Sequence, residues 1–129
     1  MNNTLALWHQ CVKTRDISLL DDLIAENCVF LSPVVHTPQV GGEITRLYLA
    51  GALQVLGNEQ FRYVKEVTSG QHAVLEFCTE VDDILVNGVD IMTFNDEGKI
   101  SEFKVMLRPL KAVNVVHAKM KTMLEQLSA

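Results

Sequence analysis

The sequence has little of what would mark a stapled, metal-bound or nucleic-acid-binding protein. Its 129 residues include only three cysteines, Cys11, Cys28 and Cys78. They are widely spaced, odd in number and form no Cys-x-x-Cys pair, which argues against a disulfide framework or a zinc site. Each lies in an apolar stretch and reads as a small buried hydrophobe. There is no His-x-x-x-His pair, so neither a metal nor any other cofactor is expected. Positive charge is also scarce: 11 Lys and Arg stand against 16 Asp and Glu, a net charge of −5. Without a basic stripe to neutralise phosphates, nucleic acid is not an expected partner. The one local concentration of positive charge, Lys111, Lys119 and Lys121, reads as the solvated face of a last helix. No apolar run approaches the ~20 residues that span a bilayer, so no membrane role is expected. The N-terminus shows no basic region followed by a long apolar run, and a cytoplasmic, reducing setting fits best. With no internal repeats, low-complexity tracts or linkers, residues 1–129 read as one domain.

What is present is hydrophobic patterning, in a chain that is 48% hydrophobic. Leu5, Trp8, Cys11 and Val12 recur at helical spacing and predict a helix over 4–14. Asp16 is placed to cap a second helix over 17–25, whose apolar face is Ile17, Leu20, Leu23 and Ile24. A short strand follows over 28–33 and ends at Pro33. Residues 34–42 read as a loop containing His36. A third helix over 43–56 buries Ile44, Leu47, Tyr48, Ala52 and Val55, and Gly57-Asn58 ends it. The period then changes to alternation. Strands are predicted over 61–68, 72–81, 84–94 and 100–108, with a second bend at Asn87-Gly88. Pro109 opens a last helix over 110–127. Helices segregated from hairpin-linked strands make an α+β domain. Its expected form is a cone: a strongly curved antiparallel sheet wrapped around the N-terminal helices, with a C-terminal helix. The mouth of such a cone is a common ligand site.

The chain is organised around Gly88 to Lys99. Asp90 sits inside a strand between Val89 and Ile91, and alternation places it on the face of Gly88, Met92 and Phe94. A carboxylate on an apolar strand face is paired, at a rim, or lining a cavity. The same face continues through Leu75, Phe77, Phe103, Val105 and Leu107, which predicts an apolar cavity wall. Enclosure there disfavours the charged form, so the pKa of Asp90 is expected above the ordinary ~3.9. On the opposite face Glu76 and Glu80 are expected to form cross-strand ion pairs with Lys104 and Arg108. That outer face, where apolar and charged residues mix, also suits a homodimer interface.

The order of elements and the segment Gly88-Val89-Asp90…Phe94-Asn95-Asp96-Glu97-Gly98-Lys99-Ile100 resemble the nuclear transport factor 2-like superfamily. The nearest likeness is to its SnoaL-like and ketosteroid-isomerase-like branches. Ser32-Pro33 after a short strand, Gly42 before a helix and Asp16 between helices match as well. The resemblance implies a pocket for a small apolar ligand, with Asp90 matching the isomerases' catalytic carboxylic acid, which an apolar site keeps protonated. Trp8 stands where those enzymes carry an oxyanion tyrosine, and an indole N–H donates a hydrogen bond but exchanges no proton. Ser32 stands where they carry the general base, and a serine abstracts no carbon-bound proton without an activating base. The resemblance to the cyclases implies Asp90 as acid or base in an apolar cavity, with Trp8 or His36 positioning a substrate carbonyl and Tyr48 nearby. The expected function is therefore binding of a small apolar, carbonyl-bearing molecule, with isomerase- or cyclase-type chemistry at Asp90. The alternative is a non-catalytic dimeric binding or interaction module on the same scaffold.

Overall fold

The computed structural model describes residues 2–128. Helix α1 (Asn2–Thr14) leads through a 3-10 turn (Ile17–Leu19) into the single turn α2 (Leu20–Leu23). Strands β1 (Ile24–Leu31) and β2 (Gln39–Val40) precede α3 (Gly42–Leu56). Four long strands follow, β3 (Arg62–Ser69), β4 (His72–Val81), β5 (Ile84–Phe94) and β6 (Ile100–Arg108), and then α4 (Leu110–Ser128). All six strands form one sheet in the order β2-β1-β6-β5-β4-β3. The four long strands are antiparallel, as their hairpin spacing requires. The sheet as a whole is mixed, because β1 runs parallel to β6.

The first strand is where the structure departs most from the helical pattern. The stripe Ile17, Leu20, Leu23, Ile24 is consistent with a helix to residue 25, yet the backbone turns extended at Ile24 (φ −99°, ψ 125°). Ile24 is then laid against Ile100 in the parallel ladder. Leu20, Leu23 and Ile24 are all buried, so the same apolar side chains serve either conformation and tertiary pairing decides. Asp16 caps only the short 3-10 turn, its Oδ1 accepting from Ser18 N–H at 3.1 Å. Within the segment expected as loop, Gln39 and Val40 pair with Phe30 and Val29 as the edge strand β2.

The turns are those that the residues demand. Asn95 Oδ1 accepts from the N–H groups of Glu97 and Lys99, and Gly98 supplies the positive φ of +79° that closes the β5–β6 hairpin. No bend forms at Asn87-Gly88, where β5 keeps unbroken register with β4. Gly88 serves another purpose: a Cβ there would lie 2.3 Å from Phe77 Cζ and 2.8 Å from Leu107 Cδ2. Its bare backbone lets both side chains lie across the inner face.

Alternation sorts the four strands into two faces. Leu75, Phe77, Met92, Phe103 and Val105 point inward and are buried with Trp8, Cys11, Leu49 and Leu53 of the helices. Phe103 sits at the centre, 5.0 Å from the ring of Trp8 and 6.3 Å from Phe30. A second cluster joins Leu56, Phe77 and Val86 to Ala112 and Val116, so α4 closes one end of the cone. Cys11 and Cys28 are buried, and burial pushes both thiols up to about 11. Cys78 is only half-buried, because it belongs to the outer face of β4.

The outer-face ion pairs form differently from expectation. Strand β5 separates β4 from β6, so Glu76 and Glu80 have neither Lys104 nor Arg108 as direct neighbours. Glu76 instead lies 4.0 Å from Lys65 on β3 and accepts a bond from Asn87, while Arg108 donates to Asn87 at 3.3 Å. Among the described residues no helix is long and apolar enough to cross a membrane.

Candidate functional site

The inner face, α1, α3 and α4 enclose a cavity of about 230 Å³. Its wall is almost wholly apolar and includes Phe30, Leu49, Leu53, Phe61, Phe77 and Phe103. Of the side chains singled out from the sequence, Trp8, Ser32, Tyr48, Phe77, Asp90, Phe103, Val105 and Leu107 lie on this wall. Three do not. His36 is exposed on the loop after β1, away from the cavity. Leu75 and Phe94 point inward but are packed in the hydrophobic core and are not on the wall.

Asp90 is the one acidic side chain of the wall, and it is 6% exposed. It lies on β5 between Leu75 of β4 and Val105 of β6. Tyr63, opposite Phe77 at the start of β3, reaches across β4 and donates its hydroxyl to Asp90 Oδ2 at 2.6 Å. The indole N–H of Trp8 on α1 donates to the same Tyr63 oxygen at 3.0 Å. The result is a chain of two hydrogen bonds, from Trp8 to Tyr63 to Asp90. His9 steadies it from outside: its ring meets that of Tyr63 edge-on at 5.4 Å, and its Nε2 lies 2.6 Å from Glu66 Oε1.

The electrostatics follow from this enclosure. Burial raises the pKa of Asp90 from 3.8 to about 7, and the bond from Tyr63 acts in the lowering direction without cancelling it. Burial, with the Asp90 carboxylate beside it, holds the Tyr63 hydroxyl well above its ordinary value. Near neutral pH the carboxyl is therefore divided between its two protonation states while the phenol stays neutral. Among the described residues no buried side-chain oxygen or nitrogen lacks a partner. Among the described residues none donates a hydrogen bond to Asp90 Oδ1, while Asp90 lies on the cavity wall.

The other polar groups of the wall are committed or peripheral. Ser32 Oγ accepts from Val34 N–H at 3.1 Å and Val35 N–H at 3.3 Å, shaping the turn after β1. Tyr48 stacks on Phe30 at 5.0 Å and makes no bond to Asp90. Trp8 gives its only donor to Tyr63, and His36 is not on the wall. His117 and Lys121 of α4 also lie on the wall, at its exposed side. Among the described residues no group of three His, Cys, Asp or Glu side chains is arranged to hold a metal ion.

Sequence reasoning missed Tyr63, His117 and Lys121. For Tyr63 the signal was its shared face with Phe61, but a bulge between Tyr63 and Lys65 breaks the alternation beyond it. His117 and Lys121 are one turn apart, and His117 adjoins Val116 on the stripe that faces the cone.

Residues 5–103 match the model of the SnoaL-like domain family. A search of curated proteins found no match to the sequence. Among solved structures, the chain is similar to a steroid delta-isomerase from Pseudomonas aeruginosa, with 34% identity, 99% of this chain and 94% of that one covered, and a TM-score of 0.92. It is also similar to an uncharacterised protein with a cystatin-like fold from Silicibacter pomeroyi DSS-3, at 32% identity, 95% and 85% coverage and a TM-score of 0.87. An NTF2-like protein of unknown function from Mesorhizobium loti shares the fold, with a TM-score of 0.72 at 19% identity over 84% of this chain and 90% of that one. The chain belongs to the SnoaL-like family of the nuclear transport factor 2-like superfamily.

Proposed function

We propose that the protein binds a small, largely apolar molecule in the cone and presents Asp90 Oδ1 to a carbonyl of that molecule, in isomerase- or cyclase-type chemistry. The observation that carries this reading is the hydrogen-bonded chain Trp8–Tyr63–Asp90 at the wall of an otherwise apolar cavity. The neutral acid donates its proton to the carbonyl oxygen and stabilises negative charge that develops there. The ionised acid accepts a proton from an adjacent carbon. Tyr63 holds Oδ2, which leaves Oδ1 for the ligand. Similarity to a steroid delta-isomerase supports isomerase-type chemistry. Ser32, committed to its own turn, supplies no second base, so both proton transfers fall to Asp90.

Methyl ketones of graded chain length, screened by thermal shift between pH 5 and 9, test the reading, since a ligand specific to the folded state raises apparent stability. Stabilisation by a ketone is expected to weaken as pH rises through about 7, where Asp90 loses its donor proton. Asp90→Asn is expected to fold, to bind ketones without that pH dependence, and to lose any turnover. No stabilisation by any ketone, or pH-independent binding to the wild type, would rule the reading out.

A second reading, a dimeric interaction module, is favoured by the outer face. Val67, Val74 and Ile91 fall on one rung across β3, β4 and β5, and Val89 and Met106 are paired beside them. Val67 and Met106 are each about half exposed, at 55% and 49%. A second copy of the chain, set face to face, covers this row with a like row. Sedimentation at micromolar concentration is expected to give a dimer that Met106→Lys dissociates. A wild type that stays monomeric would dismiss the interface.

A further inference from the structure

We propose that the ligand is an apolar oxo acid, with its ketone at Asp90 and its acidic group received at the cavity mouth by Lys121 and His117 of α4. This rests on the cavity reading above and goes beyond it by naming the far end of the ligand.

Three observations converge on it. The first is the distribution of charge on the wall. Among the described residues, the acidic and basic side chains of the wall are Asp90, which is buried, and His117 and Lys121, which are exposed. The carboxyl is therefore inside and the lysine ammonium on the exposed side, in a chain whose net charge is −5. The second is that Lys121 is uncommitted. Lys119, two residues earlier, pairs with Asp82 at 3.1 Å, but among the described residues no carboxylate lies within ion-pair distance of Lys121. Residues four apart share a helix face, and His117 and Lys121 take up that relation beside the inward stripe of Val116, Met120 and Leu124. Lys121 is exposed, as expected of the solvated face of the last helix, and it also borders the cavity.

The third observation is size. The cavity, about 230 Å³, lies below the ~300–1,000 Å³ usual for small-molecule sites. A ligand of ordinary size cannot be swallowed whole. Its remainder emerges where the wall is exposed, at Val35, His117 and Lys121. An apolar remainder would meet a lysine ammonium and water there. An acid meets an ammonium and an imidazole that both donate hydrogen bonds to carboxylate oxygens.

The test compares three probes of matched chain length: an oxo fatty acid, its methyl ester and the corresponding methyl ketone. Calorimetric titration of the full chain at low salt is expected to show the acid binding about fivefold tighter than the ester, the equivalent of one exposed ion pair of ~1 kcal/mol. The preference should shrink with added salt, because exposed charges are screened. Lys121→Met, which keeps the apolar stem, is expected to abolish the preference of acid over ester. If ester and ketone bind but the acid binds no tighter, the oxo-acid proposal fails and the cavity reading survives. If the acid's advantage persists in Lys121→Met combined with His117→Ala, the assignment to α4 is wrong. If none of the three probes binds, the cavity reading falls and this proposal falls with it.

Discussion

The inner and outer faces of the sheet are built by the same four strands, residue by residue in alternation, yet they treat polar groups in opposite ways. On the outer face Glu76, Lys65, Asn87 and Arg108 form loose contacts of 2.9–4.0 Å among themselves and with the backbone, within reach of water. On the inner face the chain Trp8 to Tyr63 to Asp90, at 3.0 and 2.6 Å, carries the polarity of the cavity wall, while buried Thr79 bonds apart from it to Leu56 O and Asn58 Oδ1. Water screens the outer groups, so each one matters little by itself. Enclosure does the reverse inside: it strengthens each bond and makes the charged form of Asp90 expensive. Among the described residues Asp90 is the one carboxyl on the cavity wall.

The largest expected contrast comes from neighbours on β6. Phe103 is buried between Trp8 and Phe30, and Phe103→Ala should cost about 3–5 kcal/mol in a urea unfolding experiment. Lys104, the next residue, faces outward, and Lys104→Ala should stay within about 0.5 kcal/mol. Similar losses for the two would erase the distinction between the faces.

A smaller effect is expected at Tyr63. Tyr63→Phe leaves Asp90 Oδ2 and the Trp8 indole without their partners, a cost of about 1–3 kcal/mol. It also removes the bond that lowers the Asp90 pKa, so the carboxyl should titrate above 7 in this variant. A carboxyl that titrates at the same pH with and without the hydroxyl would show that the hydrogen-bonded chain does not govern it.

How much of this was legible in the sequence follows the same division. Alternation along β5 put Asp90 on the apolar face, because a long strand with an unbroken ladder has no freedom to do otherwise. The hairpin turns were legible from Asn95 and Gly98 for the same local reason. Tyr63 was not, since its role depends on register with Phe77 and on a bulge in β3, both decided by pairing rather than by local pattern. The swap of helix for strand at Ile24 has a similar origin, in a parallel partner 76 residues away at Ile100. Lys121 was read as solvated and is exposed; that it also borders the cavity depends on where α4 packs, which its local pattern does not give.

The central claim is that enclosure holds Asp90 as a near-neutral acid, and its titration tests this directly. The folded-state pKa of about 7 exceeds the reference value of 3.8. The folded state thus binds the proton more tightly than the unfolded chain, and the stability this gives is fully present below pH ~4. It is lost as pH rises to about 7 and changes no further above that. The whole span corresponds to at most about 4 kcal/mol, at ~1.4 kcal/mol per pH unit. The measurement is an NMR titration of the Asp90 carboxyl carbon, assigned by its disappearance in Asp90→Asn. A midpoint near 7, with Asp90→Asn gaining stability relative to the wild type as pH rises from ~4 to about 7, is the predicted result. A midpoint near the ordinary ~3.9 of an exposed aspartate, with wild type and Asp90→Asn equally stable at all pH values, would contradict it.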